Sequence, residues 1–192
     1  MAALRVLRER SGHAPVAPGE GIRRVLLVYS PPIDRRTLGR GRASAGTMIA
    51  LIQRVSEAQV RVGGELIATI GRGVLALIAV RRGDDAAAVE RLLERLLSYR
   101  VFPDADGRMN RSLREVGGGL LLVPQFTLAA DTKKGTRAGF STAAAPEEAR
   151  TRFAELVERA RATYAPVSAG VFGADMQVSL INDGPVTFWL ES

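Results

Sequence analysis

The sequence predicts an α/β protein of the α+β kind: a strongly twisted, largely antiparallel or mixed β-sheet with two packed helices. Three observations predict it. Strand-like runs follow one another instead of alternating regularly with helices, so few parallel crossovers are available. Two stretches repeat apolar residues at helical spacing. The pair Gly63-Gly64 lies between two alternating runs, where a tight hairpin needs positive φ at both central residues.

Taken in order, "MIALIQRVSEAQVRVGGELIATIGRGVLALIAV" supplies strand-like runs at 48–55, at 58–62 with 65–70, and at 73–80. The stretch "DDAAAVERLLERLLSYRVF" then places Val89, Leu92, Leu93, Leu96 and Leu97 on one helical face. Asp84 or Asp85 suits its N-cap, and Glu90 and Glu94 are expected to face Arg95 and Arg91 on the outer side. An Asp-Gly turn follows in "PDADGRMN", and the run 119–123 is a buried strand leading straight into polar Gln125 and Thr127. The lysine-bearing stretch "DTKKGTRAGFSTAAA" reads as a loop. A second helix fits 146–163, with Pro146 in its first turn, Glu147 and Glu148 at the positive N-terminal end, and Phe153, Leu156, Val157 and Ala160 on its core face. Two last runs, 177–181 and 186–190, are separated by Asn182-Asp183-Gly184-Pro185.

Charge divides the chain. Residues 1–47 hold nine arginines against three acids, four of the nine prolines and the sole histidine, His13; from Met48 onward there are 18 basic and 17 acidic residues. A basic stretch of this kind suits nucleic-acid binding or a transit peptide, but its composition cannot bury a core. The reading preferred here is an extension, disordered or translated from an upstream start, before a domain at 48–192 whose first strand begins at Met48. Its one apolar run, Val25 to Tyr29, is too short to span a membrane, and no membrane partner is expected.

With no cysteine in the chain, thiolate nucleophiles, disulfides and cysteine-based metal sites are excluded, which fits a reducing cytoplasm. Without a histidine after residue 13, the domain cannot build an imidazole-dependent triad. No metal and no cofactor are expected. Asp131, Asp175 and Asp183 could serve as acid/base carboxylates or magnesium ligands, although lone aspartates beside turns are far commoner. Glycines at 71–73 and 117–119 lack a phosphate-loop context and read as turns.

Three stretches are polar where a strand pattern calls for apolar residues: "PQFTLAADTKKGTR", "FGADM" at 172–176, and "NDGPVT" at 182–187. Asn182 to Pro185 has two readings. It is either a plain turn between strands or a special geometry, a cis Gly-Pro included, that presents backbone to a ligand. Thr127 is either a strand-end hydroxyl or a nucleophile relying on Lys133 or Lys134 as its base.

Together with "IQRV" in the first strand, these stretches resemble, in this order and spacing, the D-aminoacyl-tRNA deacylase family, whose hallmark motifs are SQFTLxA and NxGPVT. The likeness covers Met48 to Ser192. Pro124 stands where the first motif has serine, so no role of that hydroxyl carries over. The resemblance implies the family's fold and a homodimer in which Gly184-Pro185, joined by a cis peptide, reach from one subunit into the other's site. There they would face the amino acid on the 3′ end of tRNA and exclude L side chains, leaving D-aminoacyl and glycyl esters, glycine mischarged on tRNA-Ala among them, to be hydrolysed.

By the same transfer, backbone donors around Gln125, Phe126 and Thr127 would stabilise the oxyanion while water attacks with help from the ribose 2′-hydroxyl. Arg54 would brace the Gly-Pro segment, and Phe172, Gly173 and Met176 would line the pocket for the terminal adenosine. The near-neutral domain leaves a local patch of Lys133, Lys134 and Arg137 for tRNA. A different-class alternative is a tRNA- or RNA-binding module without activity, and a metal-dependent hydrolase of another ester is a second.

Overall fold

The computed structural model describes residues 46–133 and 135–192; the extension at 1–45 and Lys134 lie outside it. A first strand, β1 (Ile49–Val62), is followed by β2 (Glu65–Ile70) and β3 (Gly73–Ala79). Then come α1 (Ala86–Ser98), the short hairpin β4 (Arg100–Pro103) and β5 (Met109–Ser112), the one-turn helix α2 (Leu113–Val116), and β6 (Gly119–Pro124). A 3-10 turn (Phe126–Ala129), α3 (Pro146–Thr163), β7 (Val167–Ala169) and β8 (Met176–Glu191) complete the chain.

β1 organises the sheet. Its N-terminal half pairs antiparallel with β3 and its C-terminal half with β2, while β8 runs antiparallel along nearly its whole length. β6 joins β3 in parallel, and β7 joins β6 in parallel, so the sheet is mixed. It curls until the Ser168 hydroxyl of β7 donates to the Thr69 carbonyl of β2. Where β3 and β6 start side by side, Gly73 and Gly119 allow the strands to touch: a Cβ on Gly73 would lie 2.0 Å from the Gly119 carbonyl oxygen.

One face of the sheet carries the helices. Leu92, Leu96 and Leu97 of α1 and Phe153, Leu156 and Ala160 of α3 pack with Ile52, Ala76, Ile78, Leu120 and Leu122 in the main core. Each fully buried aliphatic or aromatic side chain of this kind stabilises the fold by roughly 1.5–3 kcal/mol. Asp85 caps α1 through the Ala88 N–H, and Pro146 opens α3, as their sequences require. The chain ends are tied together: the Met48 N–H donates to the Ser192 hydroxyl at 3.0 Å and the Ser192 N–H to the Met48 carbonyl. Among the described residues, no helix is long and apolar enough to cross a membrane.

Four expectations need correction. The runs at 48–55 and 58–62 form one strand, kept continuous by a register shift between Val55 and Glu57 that absorbs Ser56 while Glu57 pairs with Ile181. The runs at 177–181 and 186–190 are likewise one strand, for a reason given below. Among the described residues a third, one-turn helix joins the two expected ones, because Ser112 and Glu115 close a capping box that nucleates α2. The outer-face pairs on α1 do not form: Glu94 bonds Arg114 at 3.1 Å, Arg95 donates to the Glu191 carbonyl and Arg91 to that of Gly46, each a partner brought by the tertiary fold.

Candidate active site

β6 is buried through Val123 and ends where Pro124, in register with Ile78, contributes no ladder donor. The Gln125 N–H donates to the Ile78 carbonyl at 2.6 Å, which pins the next residues at the sheet's end. Phe126 and Thr127 open the 3-10 turn, where no internal acceptor exists for their N–H groups, and neither donates to another described residue outside the turn. The Gln125 side-chain amide donates to the Thr127 hydroxyl at 2.5 Å. Phe126 is 57% exposed and leans on Phe140, with ring centroids 5.1 Å apart.

The "FGADM" stretch meets this turn. The Gly170 N–H donates to the Leu122 carbonyl, which sets the β7–β8 connection against the end of β6. Met176 and Pro124 converge on Gly170, where a Cβ would lie 2.8 Å from the Met176 sulfur and 3.5 Å from Pro124 Cδ. Phe172 sits between Phe153 and the Arg150 guanidinium, which stands 4.9 Å over its ring, and Gly173 turns the chain at φ +80°.

The other motif is built by an interruption in the β1–β8 ladder. Gln53 faces Thr187 and Val55 faces Asn182, so the four residues Asp183 to Val186 stand opposite Arg54 alone. They bulge outward, with Gly184-Pro185 exposed at the crest and joined by a cis peptide. Asn182 replaces the missing ladder. Its Oδ1 accepts the Val186 N–H at 2.7 Å, and its Nδ2 donates to the Val186 carbonyl at 3.3 Å and the Thr187 hydroxyl at 3.1 Å. The buried Gln53 amide donates to the same hydroxyl at 3.3 Å.

Arg54, whose side chain is only 11% exposed, donates from Nε to the Asp183 carbonyl at 2.8 Å and from Nη1 to the Val101 carbonyl at 2.6 Å; Nε also lies 3.2 Å from Asp183 Oδ2. A Cβ on Gly184, at φ +147°, would lie 2.6 Å from Val186 Cγ2.

Gln125 to Thr127 and Phe172 to Met176 therefore come together, whereas Gly184-Pro185 do not join them. Arg54 is in register with Val74, and Val74 with Leu120. Gln125 lies five residues beyond Leu120, roughly 16 Å along the strands. Asn182, Thr187 and Gln53 went unassigned by motif reading; the Asn and Thr of "NxGPVT" and the Gln of "IQRV" were the available signal. The aspartates are dispersed: Asp131 accepts the Lys133 N–H, Asp183 pairs with Arg54 and Asp175 is exposed. Among the described residues no three histidine or acidic side chains converge to hold a metal ion.

Free backbone donors at a strand end, with no imidazole or thiolate within residues 48–192, suit a hydrolase of the α+β class acting on a bond that is already reactive. Comparison with known proteins narrows this class. A family model described as D-Tyr-tRNA(Tyr) deacylase matches residues 51–191, and the chain belongs to that family. A D-aminoacyl-tRNA deacylase of Alkalilimnicola ehrlichii is 64% identical over 145 residues, 76% of this chain and 97% of its own length. One of Vibrio cholerae is 59% identical over 145 residues and matched over 100% of its length.

Among solved structures, the c-Myc DNA Unwinding Element Binding Protein is 39% identical with a TM-score of 0.72, over 75% of this chain and 98% of that one. A probable eukaryotic D-amino acid tRNA deacylase, 21% identical with a TM-score of 0.64 over 76% of this chain and 100% of that one, shares the fold.

Proposed function

We propose that residues 48–192 hydrolyse the ester joining a D-amino acid to the 3′ end of tRNA, as a homodimer in which Gly184-Pro185 of each subunit wall the partner's Gln125 to Thr127 turn. The terminal adenosine lies along Phe172, Gly173 and Met176. The Phe126 and Thr127 N–H groups face the ester carbonyl and stabilise the developing oxyanion, while water attacks with help from the ribose 2′-hydroxyl. Arg54 and Asn182 hold the bulge in shape. Selection is by exclusion: an L side chain meets the Gly-Pro wall, a D side chain points away, and glycyl esters, glycine on tRNA-Ala included, pass because there is nothing to reject. Such an enzyme works where charged tRNA is used, in the cytoplasm, and residues 1–47 are dispensable to it.

The observation that carries this reading is the register offset of five residues, roughly 16 Å along the strands, between the row of Arg54 and Gln125. One protomer offers donors without a wall at one place and an exposed, firmly braced wall at another, and a second copy related by a twofold axis supplies each with the other.

The test is complementation between subunits. Phe126→Pro removes a donor at the first position of the turn, where proline is tolerated, and Gln125 before it, at φ −145° and ψ 77°, lies outside the helical region that a following proline disfavours. Gly184→Val spoils the wall. Each variant alone is expected to lose hydrolysis of D-aminoacyl-tRNA, and subunits mixed and reassociated are expected to regain roughly a quarter of wild-type rate, since half the dimers then hold one intact site of two. Failure to regain activity, with mixed dimers formed, refutes the shared site.

A further inference from the structure

Beside the bulge lies a cavity of about 500 Å³ walled by Arg95, Ser98, Tyr99, Arg100, Met109 and Phe188. We propose that it binds one nucleotide of the unpaired 3′ end of the tRNA, upstream of the aminoacylated adenosine, while that end occupies the partner subunit's site. The proposal rests on the dimeric reading above.

Its walls have the chemistry of a single-strand nucleotide site, an aromatic surface with a cation at its edge. Tyr99 and Phe188 meet edge to face, with ring centroids 5.4 Å apart. Met109 is 47% exposed, an apolar side chain left facing the opening. The two arginines differ. Arg95 is committed, donating to the Glu191 carbonyl and lying 5.9 Å over the Tyr99 ring, and serves as a fixed positive charge. Arg100 is exposed, and its guanidinium makes no hydrogen bond or ion pair with another described residue. The acid whose charge it feels, Glu115, is already bonded by the Ser112 N–H and hydroxyl. An uncommitted guanidinium fork at the rim of an aromatic cavity fits a phosphodiester in two-point contact, with the base against the rings.

Position supports the assignment. Phe188 lies three residues past Pro185 on the same strand, and Arg54, which holds Asp183, also holds the Val101 carbonyl, next in the chain to Arg100. One buried arginine thus joins the bulge to the cavity wall. When the bulge lies against the partner's catalytic turn, the cavity opens at the rim of that site, where the nucleotides before the terminal adenosine leave it. The pocket is open to solvent, and its volume of about 500 Å³ has room for one nucleotide.

The experiment compares two substrates with the full-length wild-type chain and its Arg100→Ala variant: D-tyrosyl-tRNA, and the D-tyrosyl ester of adenosine, which lacks every upstream nucleotide. On D-tyrosyl-tRNA, Arg100→Ala is expected to raise KM about tenfold with kcat within about twofold, the loss of one charge-assisted phosphate contact at an exposed site. The dependence of log KM on log salt is expected to flatten by about 0.7. On the adenosine ester the variant is expected to match wild type. An unchanged KM for the tRNA, or an equal loss on both substrates, overturns the proposal while leaving the deacylase reading in place. Wild-type protein that hydrolyses neither substrate overturns both.

Discussion

Replacing Asn182 by alanine removes the side chain that closes the β8 bulge. Three hydrogen bonds disappear, to the Val186 N–H, the Val186 carbonyl and the Thr187 hydroxyl. At about 1 kcal/mol each they total about 3 kcal/mol, and access of water at this half-buried position reduces the net loss to about 2 kcal/mol. For a domain of this size the melting temperature is then expected to fall by roughly 6 °C. Because Asp183 to Val186 have only Arg54 opposite them, the loss is expected to concentrate in the bulge. Discrimination between D- and L-aminoacyl-tRNA should therefore weaken by more than the fall in stability alone would produce.

A companion variant separates shape from bonding. Asn182→Asp keeps the acceptor for the Val186 N–H but turns a carboxylate oxygen toward the Val186 carbonyl, which cannot donate in return. The folded-state pKa of the new carboxyl should be raised, so its penalty is present at neutral pH and recedes as pH falls through that raised pKa. Thermal melts and paired D/L deacylation assays read both effects. An alanine variant with wild-type melting temperature and wild-type selectivity would refute the argument and leave Arg54 as sole support of the bulge.

Gly184→Ala is expected to destabilise by about 2 kcal/mol and to lower hydrolysis, since its Cβ would stand 2.6 Å from Val186 Cγ2 at a φ that side chains rarely adopt; urea midpoints and initial rates measure the two. Thr127→Ala is expected to retain substantial activity, because the backbone donors remain and only the bond from Gln125 is lost. A fall to background with the fold intact, read by single-turnover assay, would make the hydroxyl the nucleophile. Asp84 is 2% exposed with Oδ1 unpartnered, and burial pushes its carboxyl above the ordinary range. Asp84→Asn is therefore expected to raise the urea midpoint at neutral pH, where the buried charge is costly, with a gain that shrinks as acid protonates the native carboxyl first.

What the sequence made legible follows from the range over which each signal acts. Helices α1 and α3 were readable because more than three turns of apolar periodicity repeat the same message, and their caps and prolines agree with it. The β4–β5 hairpin was not, since its second strand reads "MNRS" and is held by a turn whose Asp104 carboxylate accepts the N–H groups of Asp106 and Arg108 and the Asn110 amide. β7 has only three residues, and its place comes from parallel pairing with β6, a contact between segments more than forty residues apart. Reading "NDGP" as a break in the last strand failed because an asparagine side chain can take over the work of a ladder, and period-two patterning contains no such device. The candidate site shows the same limit at longer range. The family resemblance implies that Gly184-Pro185 meet Gln125 to Thr127 only across two subunits, but neither motif carries the register through β1, β3 and β6 that separates them in a protomer. The proposed homodimer accounts for that register: if the free donors and the exposed bulge belong to one site, a second copy has to bring them together.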